Sequence, residues 1–203
     1  ILMLKVGRSR VGSQAASSHT GALAGNDRIY DAFFKQTGII RIETLSELTS
    51  FVEVHRGGHM PAGHNIAILS ASGGAGVWIA DKCDALGLNV PDITGETRRK
   101  LEEYLPFFGS ARNPIDMTGA AGQNPALLGQ CIRTLLADDD IHMITINVGF
   151  GDHNAAVFAD DLIEIYQSTT KPIVLVTMVT APTEIVARAL EGIKEAGVAD
   201  IAK

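Results

Sequence analysis

The residue whose surroundings most favour chemistry is His19. It lies in Ser17–Gly25 (Ser-Ser-His-Thr-Gly-Ala-Leu-Ala-Gly), between hydroxyl side chains and just before glycines. Small residues let a ligand or another loop approach the backbone closely, and hydroxyl and backbone N–H groups can hold an anion. An imidazole presented on such a loop can act as an acid, a base or a nucleophile. Taken alone, the stretch favours a plainer interpretation, a glycine-rich helix start with a surface histidine.

A second glycine-rich stretch follows a continuous apolar run at residues 65–70. When a strand is followed by a tight turn and a helix, the unpaired N–H groups at the start of the helix point to a common position. The positive end of the helix dipole lies at the same position. This arrangement predicts a phosphate or carboxylate site, although a tight turn that needs glycine only for packing fits equally well. The stretch lacks the lysine of a Walker A loop and the spacing of a dinucleotide fingerprint. The candidate phosphate-binding residues are Ser72, Gly73, Gly74, Ala75 and Gly76.

Two further groups of polar residues are weaker candidates. Asn113 and Asp116 (in Asn-Pro-Ile-Asp) could line the same cleft, but a structural bend in which Asp116 caps a turn is the favoured interpretation. His55, His59 and His64 are close in sequence, yet no cysteine or carboxylate pattern accompanies them, so no metal site is predicted.

The elements that must position these residues alternate between strands and helices. Apolar runs predict strands at 1–6, 39–42, 65–70, 88–90, 141–148, 172–178 and 198–201. Helical spacing predicts helices over 27–37, 44–56, 125–136 and 154–167, with others starting near 77, 94 and 182. Turns are expected at Gly7 and Gly12, and a loop at 119–122. The alternation predicts an α/β fold with a flavodoxin-like, doubly wound parallel sheet, whose ligands bind beyond the carboxyl ends of the strands.

Composition narrows the class of protein. The 203 residues carry a net charge of −6 and no basic block, which argues against a nucleic-acid partner. No apolar run is long enough for a membrane span. Cys83 and Cys131 lie in apolar helical patterns, as expected for reduced thiols of a cytoplasmic protein. The glycine-rich, proline-broken stretch 57–64 predicts a linker between residues 1–56 and a second domain at 65–203. Because the chain opens without an initiator Met, we expect it to continue a longer protein.

Two segments carry a resemblance to a known family. The first comprises Lys5–Ser9, Ala15–Gly25, Tyr30–Phe33 and Gln36–Arg41, and the second comprises Ser72–Val77 with Asn113–Asp116. With these motifs the chain resembles the NDP-forming acyl-CoA synthetases, the superfamily of succinyl-CoA synthetase, and most closely their ADP-forming acetyl-CoA synthetase type. The resemblance implies that 1–56 is the C-terminal part of a first α/β ligase domain with its phosphohistidine loop. It also implies that 65–203 is the flavodoxin-like ligase domain that follows.

The resemblance implies an acid–thiol ligase. In this family an acyl-CoA reacts with phosphate to give an acyl phosphate and CoA, a histidine takes the phosphoryl group, and a mobile loop carries it to ADP. By its place in the motif, His19 would be that histidine. The amides of Gly73, Gly74, Ala75 and Gly76 would stabilise the charge on the transferring group.

The resemblance also implies parts that this chain lacks. CoA, ATP or ADP, and Mg²⁺ would be bound mainly by a CoA-binding domain and an ATP-grasp domain, in the same or a partner chain of an oligomer. The carboxylate that steadies the histidine would precede Ile1. The substrate would be a small carboxylic acid, and this piece alone should be inactive. An alternative is a non-catalytic regulatory or ligand-binding module of a protein acyltransferase, against which the retention of His19 argues. Binding of another phosphorylated ligand at Ser72–Gly76 rests on fold analogy alone.

Overall fold

The computed structural model describes residues 1–20, 25–178 and 181–200, and the chain divides into two compact units, Ile1–Val52 and Glu53–Lys203. The elements that begin in the first unit are β1 (Leu2–Leu4), α1 (Arg10–Thr20), α2 (Asp27–Thr37), β2 (Ile40–Ile42) and α3 (Leu45–Arg56). Strands β1 and β2 pair in parallel, with Leu2 opposite Ile40.

Local capping signals set the ends of α2 and α3. Gly38 ends α2 in the left-handed region at φ +70°, as its position predicts. Thr44 accepts a hydrogen bond from the Glu47 amide at 3.1 Å, and the Glu47 carboxylate reaches back to the amide of Glu43 at 2.7 Å. The two bonds form a capping box whose return bond reaches one residue earlier than in the standard motif.

The connection from β1 to α1 differs from the prediction. Gly7, at φ +72°, makes the expected turn after the strand. Gly12 instead lies within α1, where its amide donates to the Ser9 hydroxyl at 3.1 Å, so the turn predicted there is wrong. The helix forms because Ser9 caps its first turn and the small residues that follow include the good helix formers Ala15 and Ala16.

The second unit is built on a parallel sheet with the strand order β4-β3-β5-β6-β7. The strands are β3 (Ile66–Ser70), β4 (Ile115–Asp116), β5 (Met143–Val148), β6 (Ile173–Thr177) and β7 (Ala199–Asp200). The helices are α4 (Gly73–Ala85), α5 (Gly95–Tyr104), α6 (Pro125–Leu136), α7 (Ala155–Gln167) and α8 (Glu184–Glu195), with a 3₁₀ turn at Gly119–Gly122. This order is the flavodoxin-like 2-1-3-4-5 arrangement, and it confirms the predicted fold class.

The edge of the sheet beside β3 differs from the prediction. The strand predicted at 88–90 is wrong, because Asn89 makes only an isolated bridge to Asn65. Pro91 has no N–H to donate, so pairing cannot continue there. The break predicted at Asn113–Asp116 instead contains the short strand β4. This strand pairs with the C-terminal end of β3, with Ile115 opposite Leu69.

The strands of this sheet are apolar and buried, so the sheet forms the centre of the second unit's core. Every residue of β3 is buried, and Leu69, Ile146 and Leu175 from adjacent strands are fully shielded from solvent. Cys83 and Cys131 are free, buried thiols, as expected, and burial raises the pKa of Cys131 to about 12. Among the described residues, no helix is both long and apolar enough to cross a membrane.

The stretch 57–64, predicted as a linker, lies within the second unit, where two of its residues contact helix α7. The His59 ring stacks on Tyr166 with 4.1 Å between centroids. A Cβ on Gly57 would lie 2.0 Å from the Tyr166 hydroxyl, so only glycine fits at this approach. The His142 ring accepts a hydrogen bond from the Asn65 amide at 3.0 Å, which gives this histidine a structural role.

Candidate functional site

His19 lies in the last turn of α1 and is exposed to solvent. The loop predicted around it is therefore helical as far as residue 20, while residues 21–24 lie outside the described residues. The hydroxyl of Ser17 donates to the Ser13 carbonyl at 3.0 Å, and that of Ser18 donates to the Gln14 carbonyl at 3.1 Å. These hydroxyl protons are engaged within the helix and do not hold an anion beside the imidazole.

The N-terminus of α4 presents two free backbone donors. Ser72 is the N-cap, its hydroxyl accepts from the Ala75 amide at 3.5 Å, and its carbonyl accepts from the Gly76 amide at 3.0 Å. The amides of Gly73 and Gly74 find no acceptor in the part of the chain that the structure describes. A Cβ on Gly74 would meet nothing within 4 Å, so space is open beside these donors. Two free N–H groups at the positive end of a 13-residue helix suit an anion.

The sheet topology places this helix end where ligands bind in doubly wound folds. β3 lies between β4 and β5, and the chain leaves β3 towards one edge and returns to β5 on its other side. The point between β3 and β5 is thus the topological switch point of the sheet, where connections on opposite faces leave a crevice. The Ser72–Gly76 stretch follows β3 directly and therefore lies at this crevice, and anion binding by these residues stays a prediction.

A buried polar chain sets the geometry of this turn. The Ser70 hydroxyl accepts from the Ser72 amide at 3.1 Å and lies 2.7 Å from the Ser72 carbonyl. It also lies 3.2 Å from Oδ1 of Asn147, whose Nδ2 donates to the Val176 carbonyl at 3.2 Å. Sequence reasoning missed Asn147, although a polar residue inside the apolar run of β5 is a signal that could have revealed it.

Asp116 lies beside the same helix end. It lines a cavity of about 190 Å³ with Ser70, Gly73, Gly76, Val77, Pro114 and Ile115. One carboxylate oxygen is 3.0 Å from the position of a Cβ on Gly73, and the other accepts from the Thr118 amide at 2.9 Å. The carboxylate offsets part of the positive charge of the helix end, so a bound anion depends on the directed N–H groups rather than on net charge.

Asn113 does not line this cavity. Its Oδ1 accepts from the Ile68 amide at 2.9 Å, while its Nδ2 donates to the carbonyls of Ile66 at 2.8 Å and Pro91 at 3.0 Å. The side chain therefore completes the edge of β3 and has a structural role. The structure separates the two residues that the sequence paired, since only Asp116 faces the cavity.

The described residues do not assemble a metal site. No group of three His, Cys, Asp or Glu side chains comes together among them. His153, in the loop after β5, is exposed, as expected for a solvated loop histidine. Asp116 is a single carboxylate, and Mg²⁺ is usually held by one or two carboxylates together with substrate phosphates and water. These residues alone therefore do not fit a resident magnesium ion.

Two family models match successive parts of the chain. Residues 1–55 match the succinyl-CoA ligase like flavodoxin domain, and residues 66–160 match the ligase-CoA domain. The chain belongs to the NDP-forming acyl-CoA synthetases.

Relatives within this synthetase family carry ligase names. The chain is 42% identical over 124 residues to a 4-hydroxybutyrate–CoA ligase [ADP-forming] of Nitrosopumilus maritimus, a match that covers 61% of this chain and 18% of the relative. It is 38% identical over 146 residues to acetate–CoA ligase [ADP-forming] I subunit alpha of Pyrococcus furiosus, covering 72% of this chain and 31% of that subunit. The chain thus spans less than a third of either relative.

A solved synthetase shares the fold. The dinucleotide-forming acetyl-coenzyme A synthetase 1 of Ca. Korarchaeum cryptofilum, in complex with phosphate and ADP, superposes with a TM-score of 0.87 and 25% identity. The match covers 99% of this chain and 43% of that one. The likeness therefore includes the elements that carry His19 and the N-terminus of α4.

Proposed function

We propose that this chain is part of an acid–thiol ligase that interconverts acyl-CoA, phosphate and ADP with a carboxylic acid, CoA and ATP. The reaction passes through an acyl phosphate and a phosphohistidine. In this proposal His19 carries the phosphoryl group, and the amides at the start of α4 stabilise the charge on the transferring group. The ADP-forming ligase names of the relatives support the overall reaction.

The observation that carries the proposal is that the amides of Gly73 and Gly74 bond to no acceptor among the described residues. A phosphoryl group in transfer spreads negative charge over its equatorial oxygens, and fixed donors stabilise that charge without reorganising. The Asn147–Ser70–Ser72 hydrogen bonds hold these donors in place before any ligand binds. Loss of a single preorganised donor in such sites lowers the rate by about 10²–10³-fold.

The position of His19 suits a carrier rather than a storage site for phosphate. The residue lies in the last turn of α1, which is the negative end of that helix dipole. A phosphoryl group there is destabilised by about 0.3–1 kcal/mol relative to a neutral position. The phosphohistidine is therefore poised to give up its phosphoryl group to an acceptor in a more favourable field.

The remaining machinery lies on other domains in this proposal. CoA and the adenine nucleotide are bound mainly by a CoA-binding domain and an ATP-grasp domain, in the same or a partner chain. Mg²⁺ accompanies the nucleotide phosphates, since Asp116 alone does not fit a resident ion. The solved synthetase in complex with phosphate and ADP supports the use of these ligands.

The experiment that tests the carrier uses the intact protein with [γ-³²P]ATP and Mg²⁺. We expect acid-labile, base-stable label on wild-type protein, and none on a His19→Asn variant, which also loses acyl-CoA formation. His64→Gln, which alters another exposed histidine, is the matched control and should keep both. Full labelling and ligase activity in His19→Asn would refute the carrier role. Absence of label, together with no binding of CoA, phosphate or nucleotide by wild-type protein, would favour a non-catalytic module.

The role of the α4 amides has a matched pair of substitutions. Gly73→Pro removes one N–H at a helix position where proline is tolerated, and the preceding Ser72 already has extended backbone at φ −140°. Gly73→Ala places the same Cβ beside Asp116 but keeps the N–H. We expect labelling from acyl-CoA and [³²P]phosphate to fall at least about tenfold further in Gly73→Pro than in Gly73→Ala. Equal rates would show that the amide takes no part.

A further inference from the structure

Asp27, the first residue of α2, is the centre of an ion-pair network in the first unit. Its Oδ1 lies 2.7 Å from Nη2 of Arg41 and 3.4 Å from Nζ of Lys5, and its Oδ2 lies 3.1 Å from Nε of Arg8. Three cations, two from the connection between β1 and α1 and one from β2, thus share one carboxylate. Sequence reasoning singled out Lys5 and Arg8 only as parts of a motif and gave them no function.

The network joins the two ends of the segment that carries His19. Arg8 stands just before α1, whose last turn holds the histidine, and Asp27 begins the helix that follows. The Arg8–Asp27 pair therefore closes a loop of the chain with His19 inside it. Such a pair limits the positions of the start of α1 relative to the start of α2.

Other contacts strengthen both ends of this closure. Nζ of Lys5 lies 4.6 Å from the centre of the Tyr30 ring, a cation–π distance. A Cβ on Gly25 would stand 3.1 Å from the same ring, so the chain leaving the histidine segment runs directly against Tyr30. On the other side, Arg8 also pairs with Glu43 after β2. The Arg8–Asp27 pair is thus supported by contacts of residues that directly follow β1 and β2.

We propose that Asp27 is a positioning residue for His19, because its pair with Arg8 fixes the two ends of the histidine segment relative to each other. The inference rests on the proposed function, in which His19 accepts a phosphoryl group. Asp27 touches no reacting atom in this role. It acts by limiting the positions that His19 can adopt, and misplacement of a reacting group by about 1 Å can lower a rate about 10²-fold.

Substitution of Asp31 can distinguish this positioning role from a general stabilisation of the first unit. Asp31 lies one turn further along α2 and also pairs with Arg41, but not with Arg8. Its pair ties α2 to β2 without closing the histidine segment. Asp31→Asn is therefore the matched control for Asp27→Asn, since each substitution removes one carboxylate charge from the same helix.

Arg8→Gln is a milder variant that we expect to leave the fold intact. The Arg8 side chain is 46% exposed, and its loss leaves the pairs of Asp27 with Arg41 and Lys5 in place. Since partly exposed ion pairs contribute little stability, the unfolding temperature should change by only about 1–3 °C. If Asp27→Asn does not fold, Arg8→Gln decides the question alone.

The experiment measures the rate of His19 phosphorylation from ATP and Mg²⁺ in the intact protein, with the KM for ATP and the unfolding temperature alongside. We expect the rate to fall about threefold in Arg8→Gln and about tenfold in Asp27→Asn, with KM changed less than about twofold. Asp31→Asn should stay within about twofold of wild type. Arg8→Lys, which keeps the charge but lacks the guanidinium fork that contacts both Asp27 and Glu43, should recover only part of the rate.

The outcomes distinguish the two proposals. If wild-type protein takes no label on His19, the proposed function fails. If wild type is labelled but Arg8→Gln and Asp27→Asn match Asp31→Asn in rate, the positioning role is overturned and the carrier role stands. A fall in rate that merely follows the unfolding temperature across all variants would equally overturn the positioning role.

Discussion

Replacement of Asn113 by alanine tests whether this residue belongs to the site or to the fold. β4 pairs with β3 from Ile115 opposite Leu69, so two residues earlier Asn113 stands level with Ala67. There the side-chain amide binds the Ile68 N–H and the Ile66 carbonyl, the two groups that a residue on a parallel neighbouring strand would bind. The side chain thus supplies the bonds that the backbone of Asn113 would make if β4 extended to this position.

The cost of the substitution follows from the groups left behind. Ile66 and Ile68 are 7% and 0% exposed, so water cannot readily replace the lost bonds. Each buried polar group without a partner costs about 1–3 kcal/mol. Two such groups give a loss of about 3 kcal/mol in the free energy of unfolding, equivalent to a fall in melting temperature of about 6–12 °C for a unit of this size.

Urea-induced unfolding followed by circular dichroism measures this change on the 203-residue chain. Asn89→Ala is the matched control, since its side chain makes an exposed bond to Asn65 at 3.2 Å, and its effect should stay within about 0.5 kcal/mol. Asn113→Asp should be at least as harmful as alanine, because a second carboxylate oxygen would face the carbonyls of Ile66 and Pro91. If Asn113→Ala unfolds within about 0.5 kcal/mol of wild type, the strand-extending role is refuted.

The other predictions concern ionisation in each unit. Ion pairing with Arg41, then with Arg8 and Lys5, holds the pKa of Asp27 at about 2, against 3.8 for the unperturbed group. Its contribution to stability is therefore complete above about pH 4 and is lost as the pH falls towards 2, and Asp27→Asn should remove this acid dependence from the α2 amide signals in NMR. Burial holds the pKa of Cys131 at about 12, so at pH 8 its reaction with a thiol reagent should track global unfolding rather than reagent concentration.

Local patterns predicted much of this fold. The apolar runs of β3, β5 and β6 and the caps at Gly38 and Thr44 are short-range signals, because each depends on residues within one turn or one strand. The alternation of these elements was enough to predict the flavodoxin-like sheet. The glycines of Ser72–Gly76 were likewise recognisable, since a strand–glycine–helix sequence exposes N–H groups wherever it occurs.

The structure differs from the sequence prediction at other positions. The run of serine and alanine before His19 suggests a loop, yet α1 continues to Thr20, and this difference is local, because Ser9 caps the helix and the serine hydroxyls bond to carbonyls one turn back. Tertiary contacts decided a second difference. Residues 88–90 are apolar enough for a strand, but the place beside β3 belongs to Asn113 and β4. Which segment occupies a sheet edge depends on chain topology, and no local periodicity encodes it.

The sequence by itself determined which residues can do chemistry: an imidazole at His19 and a glycine-rich helix start at Ser72–Gly76. Only the tertiary structure decided what supports them. Asn147 steadies Ser70 from a neighbouring strand, and Asp27 joins Arg8 across 19 positions of the chain. Such partners are distant in sequence, and each is an ordinary polar residue until the fold brings it to its contact. The physical reason is that hydrogen bonds and ion pairs act over a few ångströms in space, whatever the separation along the chain.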